Sequence, residues 1–311
     1  MTSDLGRPGG APACASASIP TRIPAGDPES ASAGEPVGDS SGPSSGHSLG
    51  TPPGDPLGPP STLTLLRSAL FNVLFFGLTG LCCLFGILLL PFPRRLMRRY
   101  VQGWARLMLW LLHVVCGITL RVTGRENLPE GPVVIAAKHQ SAYDTIVWLA
   151  LLPEPVYVLK QELLRIPAWG WMARHYGAVA VDRRGGASAL KRMVRQAGTA
   201  LKAGDQIVIF PEGTRTAVGT RIPYLPGVVA LAAASGAPVV PVATDSGLRW
   251  GRRAFAKRPG AITVAILPPL PPGQNRTQLL RALSDAIETE TDRLVVAAGG
   301  PPSAAVDNSV G

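Results

Sequence analysis

Cysteine is scarce in this chain: four residues in 311, at Cys14, Cys82, Cys83 and Cys116. One falls in a Gly/Pro/Ser-rich stretch and three in apolar runs, so neither a disulfide framework nor a zinc site is indicated, and no metal is expected. No P-loop, no GxGxxG element and no internal repeat occurs. Acidic residues are also few, 20 against 30 Lys and Arg, a formal charge of +10. Residues 1–60 carry two arginines against six carboxylates, a net of −4, which leaves +14 for the rest of the chain. A body this basic suits anionic partners: a phosphorylated substrate, an anionic membrane face or an acidic carrier protein. Nucleic acid is set aside because no recognised binding module accompanies the charge.

Bulky apolar side chains are nearly missing from residues 1–60, which therefore cannot bury enough surface to offset chain entropy. They read as a disordered tail, with a second at 299–311. Gly38-Asp39-Ser40-Ser41-Gly42 has the lettering of a hydrolase nucleophile elbow. That motif needs a strand before it and a helix after it, and neither is indicated.

Charge is absent altogether from Ser68 to Pro93. Such a run is long enough to cross a bilayer core as a helix. Arg94, Arg95, Arg98 and Arg99 follow, then a second apolar helix from about Trp104 to Val115. Residues 61–116 thus read as membrane-embedded. Either the first helix spans once, with the arginines holding its end in the cytoplasm, or the pair forms a hairpin sunk in one leaflet. The remainder then works on the cytoplasmic face of the inner (plasma) membrane.

From residue 117 to 298 strands and helices alternate, the pattern of an α/β domain with a mixed, largely parallel sheet flanked by helices. Strands are expected at 118–122, 133–137, 156–159, 178–181, 207–210, 239–243 and 261–267, with helices near 142–152, 168–176, 187–201, 227–234 and 277–296. Asn275-Arg276-Thr277 has the form of a glycosylation sequon but reads better as a helix N-cap.

The most informative stretch is the turn after the second of these strands, Lys138-His139-Gln140-Ser141-Ala142-Tyr143-Asp144. On one continuous helix His139 and Asp144 would point about 140° apart. With His139 in a strand-to-helix elbow and Ser141 as N-cap, the Asp144 carboxylate can fold back onto the imidazole. That gives a general base and its orienter. Ser141-x-x-Asp144 equally fits a capping box, with a purely structural job for Asp144.

A second turn, Phe210-Pro211-Glu212-Gly213-Thr214-Arg215, carries a carboxylate, a glycine that admits close backbone approach, a hydroxyl and a guanidinium suited to phosphate. Lys160 and Asp182-Arg183-Arg184 close two further strands. In this fold His139, Lys160, Arg183 and Arg215 converge at one sheet edge. Arg249, Arg252, Arg253, Lys257 and Arg258, interleaved with Trp250 and Phe255, form a basic patch expected to meet membrane or carrier protein.

These blocks, in this order, with Pro167, Gly170, Val181 and Val239-Val240-Pro241-Val242 between and after them, resemble the four-block signature of the glycerolipid acyltransferases. Among them they resemble the bacterial 1-acylglycerol-3-phosphate O-acyltransferases, over roughly Leu66 to Leu294. The resemblance implies acyl transfer from acyl-CoA or acyl-carrier protein to the sn-2 hydroxyl of lysophosphatidic acid, with no other cofactor. It implies His139 as general base with Asp144. It implies Lys160, Arg183 and Arg215 on the acceptor's phosphate, with Glu212, Gly213 and Thr214 shaping that pocket and Pro241 on the acyl side. Backbone N–H groups at the start of the Ser141 helix are candidate oxyanion donors. Two departures stand out: Lys138 in place of a common Asn, and Pro226-Gly227 in place of a basic-Gly pair. Competing readings are an acyltransferase for another lyso-lipid such as lyso-ornithine lipid, a hydrolase using Ser141, and a non-enzymatic membrane-anchored lipid-binding protein.

Overall fold

The computed structural model describes residues 57–182 and 184–301. Residues 1–56 and 302–311, and with them Cys14, the Gly38–Gly42 stretch and most of both expected tails, lie outside the described residues, as does Arg183.

The described residues open with two long helices, α1 (Thr62–Ile87) and α2 (Arg94–Cys116). Seven strands follow: β1 (Ile118–Thr123), β2 (Val134–Ala137), β3 (Pro155–Lys160), β4 (Val179–Val181), β5 (Gln206–Ile209), β6 (Val239–Thr244) and β7 (Gly260–Ile266). Between and after them come α3 (Tyr143–Leu151), α4 (Trp169–Tyr176), α5 (Gly186–Lys202), α6 (Gly227–Ser235), the single turn α7 (Ser246–Arg249) and α8 (Arg276–Ala297). All seven expected strands and five expected helices are present. The sheet order is β1-β7-β6-β2-β5-β3-β4, parallel except where β7 runs against β6.

Strand β2 shows how the layers are built. It is buried throughout, and its side chains alternate between faces with period two. Ile135 and Ala137 join a core with α1–α4; Val134 and Ala136 join a second core with α5, α6 and α8. The result is a three-layer α/β/α domain. Asn275 caps α8 in a reciprocal capping box with Gln278, so the sequon position serves the helix start.

The two leading helices differ from expectation in detail. α1 starts at Thr62, where Ser61 accepts the Thr64 amide at 3.2 Å, and it includes Arg67. Its 26 residues make a rod of about 39 Å, long and apolar enough to cross a membrane. α1 packs on α2 and α4, while Leu66, Val73, Phe76 and Leu84 point outward and are exposed. The arginines belong to the first turns of α2. Spaced four apart on one helix face, Arg94 and Arg98 turn toward the domain. Arg94 pairs with Asp205 at 3.3 Å, and Arg98 pairs with Asp205 at 2.7 Å and with Glu154. Of the four arginines, only Arg95 and Arg99 stay exposed.

The expected basic patch is likewise divided. Lys257 is 2% exposed and Trp250 7%. The ammonium bonds Asn72 of α1 and the Phe255 carbonyl at 3.0 Å, and lies 5.0 Å from the Trp250 ring centre. A buried lysine needs those acceptors and the aromatic face to offset lost hydration. Arg252, Arg253 and Phe255 remain exposed.

Candidate active site

Four parallel neighbours, β2, β5, β3 and β4, end side by side, so the turns after them share one rim of the sheet. Over that rim opens a cavity of about 900 Å³, within the range of small-molecule sites. His139, Lys160, Asp182, Gly213, Thr214 and Arg215 line its polar part. Its apolar walls come from the domain and from both leading helices, including Cys82 and Cys83 of α1 and Trp104 of α2.

His139 leaves β2 toward the cavity, its side chain 12% exposed. Its Nδ1 lies 3.2 Å from Asp144 Oδ2. The same oxygen accepts the Gln140 and Ser141 amides, each at 2.8 Å. Because the carboxylate oxygen only accepts, the Nδ1 proton is held toward it, and Nε2 is the nitrogen available to the cavity. One oxygen of Asp144 thus meets both the imidazole and the elbow's two amides, while the Ser141 hydroxyl takes the Tyr143 amide and so completes no capping box. Phe210 stacks on the imidazole, ring centres 4.0 Å apart and planes 17° apart.

Ser141 does not cap as expected. Helix α3 starts from Ala142, and the Ser141 hydroxyl accepts the Tyr143 amide at 3.1 Å. Fully buried and absent from the cavity wall, Ser141 is not placed as a nucleophile. The Gln140 and Ser141 amides, offered as oxyanion donors, are already committed to Asp144.

The second turn is tied to the first through its backbone. Thr216 donates its amide to the His139 carbonyl at 2.8 Å, and the His139 amide donates to Glu212 Oε2 at 2.7 Å. Gly213 has φ of +68°, in the left-handed region that favours glycine, and it presents Thr214 and Arg215 to solvent and cavity. Glu212 itself, expected to shape the phosphate pocket, is 3% exposed and sits behind the His139 backbone. The cause is its set of bonds: Lys138 at 2.8 Å, Thr216 Oγ1 at 2.8 Å and the His139 amide draw it inward. Pro241 is also displaced from expectation, lying inside the fully buried strand β6 and not in the cavity wall. Pro226 caps α6 and lines the cavity with Gly227. Gly170 is required by packing, since a Cβ there would meet the Leu164 carbonyl oxygen at 2.2 Å.

Sequence reasoning missed Phe210 as the imidazole's stacking partner, the contribution of α1 and α2 to the cavity, and the fate of Lys138. Extending the period-two alternation of β2 by one residue would have sent Lys138 to the face opposite His139. Nothing local marks Glu288, its partner on α8, at 2.7 Å.

Asp245, at the end of β6, carries a separate consequence. Burial pushes its carboxyl from 3.8 up to about 6, only partly offset by the Thr263 amide it accepts at 2.7 Å. Between those values the folded protein holds a proton that the unfolded chain has lost, so stability falls as pH rises through the window. Asp245→Asn keeps an acceptor and removes the titration. The variant's Tm advantage over the parent is expected to grow from pH 4 to pH 6, by the equivalent of roughly 2–3 kcal/mol, and then level off. Parallel thermal melts of the two proteins measure this.

A His–Asp pair on an α/β rim, facing a cavity with cations at one end and apolar walls beyond, has the makings of an acyl-transferring enzyme. Residues 119–245 match the acyltransferase family. The chain is 40% identical over 211 residues to a 1-acyl-sn-glycerol-3-phosphate acyltransferase of Pseudomonas aeruginosa, covering 67% of this chain and 82% of that one. It is 32% identical over 190 residues to an enzyme of the same name from Limnanthes alba, covering 59% and 66%. The chain belongs to the acyltransferase family. Its fold is similar to the crystal structure of the 1-acyl-sn-glycerophosphate (LPA) acyltransferase PlsC from Thermotoga maritima, with a TM-score of 0.57 at 23% identity over 75% of this chain and 94% of the other.

Proposed function

We propose that this enzyme transfers a fatty acyl group from a thioester, acyl-CoA or acyl-carrier protein, to the sn-2 hydroxyl of 1-acyl-sn-glycerol 3-phosphate, forming phosphatidic acid for phospholipid synthesis. The observation that carries this reading is the cavity, which holds the His139–Asp144 pair, Lys160, Thr214 and Arg215 at one end and apolar walls along the rest. Relatives named for the same acceptor support it.

In the proposed reaction the acceptor's phosphate lies against Arg215, Lys160 and the Thr214 hydroxyl, which brings its free hydroxyl to His139 Nε2. The nitrogen takes the hydroxyl proton as the oxygen attacks the thioester carbonyl. Asp144 stabilises the imidazolium through Nδ1. The tetrahedral intermediate collapses with cleavage of the C–S bond, and the imidazolium returns its proton to the departing sulfur. A thiolate leaves readily, so the reaction calls for no enzyme nucleophile and no cofactor besides the donor.

Acceptor and product keep acyl chains in a bilayer, and the exposed apolar side of α1 suits residence there. With Arg95 and Arg99 exposed at the start of α2, the reading places the domain on the cytoplasmic face.

The test is purified full-length protein in detergent with labelled lysophosphatidic acid and either acyl-CoA or acyl-carrier protein. Phosphatidic acid is expected from at least one donor, and a lyso-lipid without phosphate, such as lyso-ornithine lipid, is expected to be a poor acceptor. Equal turnover of the two acceptors would remove the phosphate-based reading.

A further inference from the structure

We propose that Lys138 is a positioning residue for His139, acting through the carboxylate of Glu212 and anchored on α8 by Glu288. The inference rests on His139 being the base and concerns what holds that base in place.

Strand β2 continues its ladder one residue past Ala137, with the Lys138 amide on the Val242 carbonyl at 2.9 Å. Successive side chains on such a strand leave by opposite faces. His139 enters the cavity, and Lys138 enters the core under α8, where it is 1% exposed. There its Nζ lies 2.8 Å from Glu212 Oε1, 2.7 Å from Glu288 Oε1 and 2.9 Å from Glu288 Oε2. Those contacts match the three protons of an ammonium.

The carboxylate of Glu212 is thereby fixed in rotation. Oε1 takes Lys138 and the Thr216 hydroxyl, which leaves Oε2 to receive the His139 amide at 2.7 Å. Glu288 is held in turn by the Tyr224 hydroxyl at 2.7 Å. A chain of short contacts therefore runs from α8 to the backbone of the proposed base. Burying a lysine with two carboxylates carries a large desolvation penalty, and replacing such a group by apolar side chains is often neutral or stabilising. Fold stability alone gives little reason for it. An oriented acceptor for the His139 amide does.

This distinction supplies the experiment. Lys138→Met and the double variant Lys138→Met/Glu288→Leu are compared with the parent as full-length protein in detergent, measuring Tm, kcat and KM for lysophosphatidic acid. The single change leaves Glu212 without a cation and Glu288 with only Arg221 Nε, 4.0 Å away, and is expected to lower both Tm and kcat. The double change removes one of the two stranded carboxylates but leaves Glu212 buried without the ammonium, and is expected to recover only part of the Tm. Its kcat is expected to stay at least about tenfold below the parent, with KM within about twofold, because Glu212 has lost its orienting cation. Recovery of kcat together with Tm would reduce Lys138 to fold stabilisation and overturn the proposal, as would a change confined to KM. Lys138→Gln, neutral and one bond shorter, cannot restore the ammonium's three contacts and is assayed alongside per folded molecule in case either methionine variant is too unstable. A kcat equal to the parent's would also overturn the proposal. If His139→Ala turns over like the parent, the fault lies with the proposed function; if that variant is inactive while Lys138 variants are fully active, it lies with this inference.

Discussion

Replacing His139 with alanine is expected to lower kcat by roughly 10²–10⁴-fold, the contribution of a well-placed general base. KM for both substrates should change little, since in the proposed reaction the imidazole acts on a proton that moves only as the acyl group is transferred. The geometry accounts for the size of the effect. Asp144 Oδ2 holds Nδ1 at 3.2 Å, Phe210 lies against the ring, and the backbone on both sides of His139 is bonded to the Glu212–Thr216 turn. No other imidazole lines the cavity among the described residues. Asp144→Asn keeps one oxygen for the Gln140 and Ser141 amides but loses the negative charge opposite the imidazolium, so a smaller fall in kcat is expected. Steady-state rates of phosphatidic acid formation measure both, and a His139→Ala variant as fast as the parent would refute the assignment.

Arg215→Ala is expected to reduce kcat/KM for lysophosphatidic acid by roughly 10–150-fold, the equivalent of a charge-assisted hydrogen bond of about 1.5–3 kcal/mol. Arg215 is exposed at the cavity rim, one residue before the Thr216 amide that bonds His139. It can therefore grip a phosphate in fixed register with the base. Lys160→Ala should have a smaller effect, because an exposed ammonium offers a point charge without the two-pronged fork. The control is an acceptor with the same acyl chain and no phosphate. Its turnover should be nearly indifferent to Arg215→Ala, and an equal loss on both acceptors would point to a structural role for the arginine.

Much of the site was legible because its parts lie at strand ends. Apolar runs of four to six residues, broken by Gly, Pro and polar turns, marked β2, β3, β4 and β5. In a parallel sheet the turns after such strands must share one edge. The pair His139 and Asp144 was legible for a local reason: five positions of chain in an elbow bring a carboxylate back to an imidazole without help from elsewhere. The errors fell where one turn offers several polar groups and the interior chooses among them. Glu212 and Arg215 are three residues apart, yet one turns inward to Lys138 and the other stays at the rim. Arg94 and Arg95 are adjacent, yet only the first finds Asp205. Lys257, read as surface charge, is enclosed by Trp250, Phe255 and Asn72.

The amino-acid order alone determined the α/β alternation, the long apolar helix ahead of it and the pairing of His139 with Asp144 in one elbow, since each depends on periodicity or on spacing within a few residues. Tertiary structure decided which charges serve the fold and which face the cavity, and it brought α1 and α2 into the cavity wall. It also joined Glu288 to the back of the His139 loop across 150 positions of chain. Pairings of that kind depend on which surfaces are left to meet once the sheet has formed, and no local pattern records them.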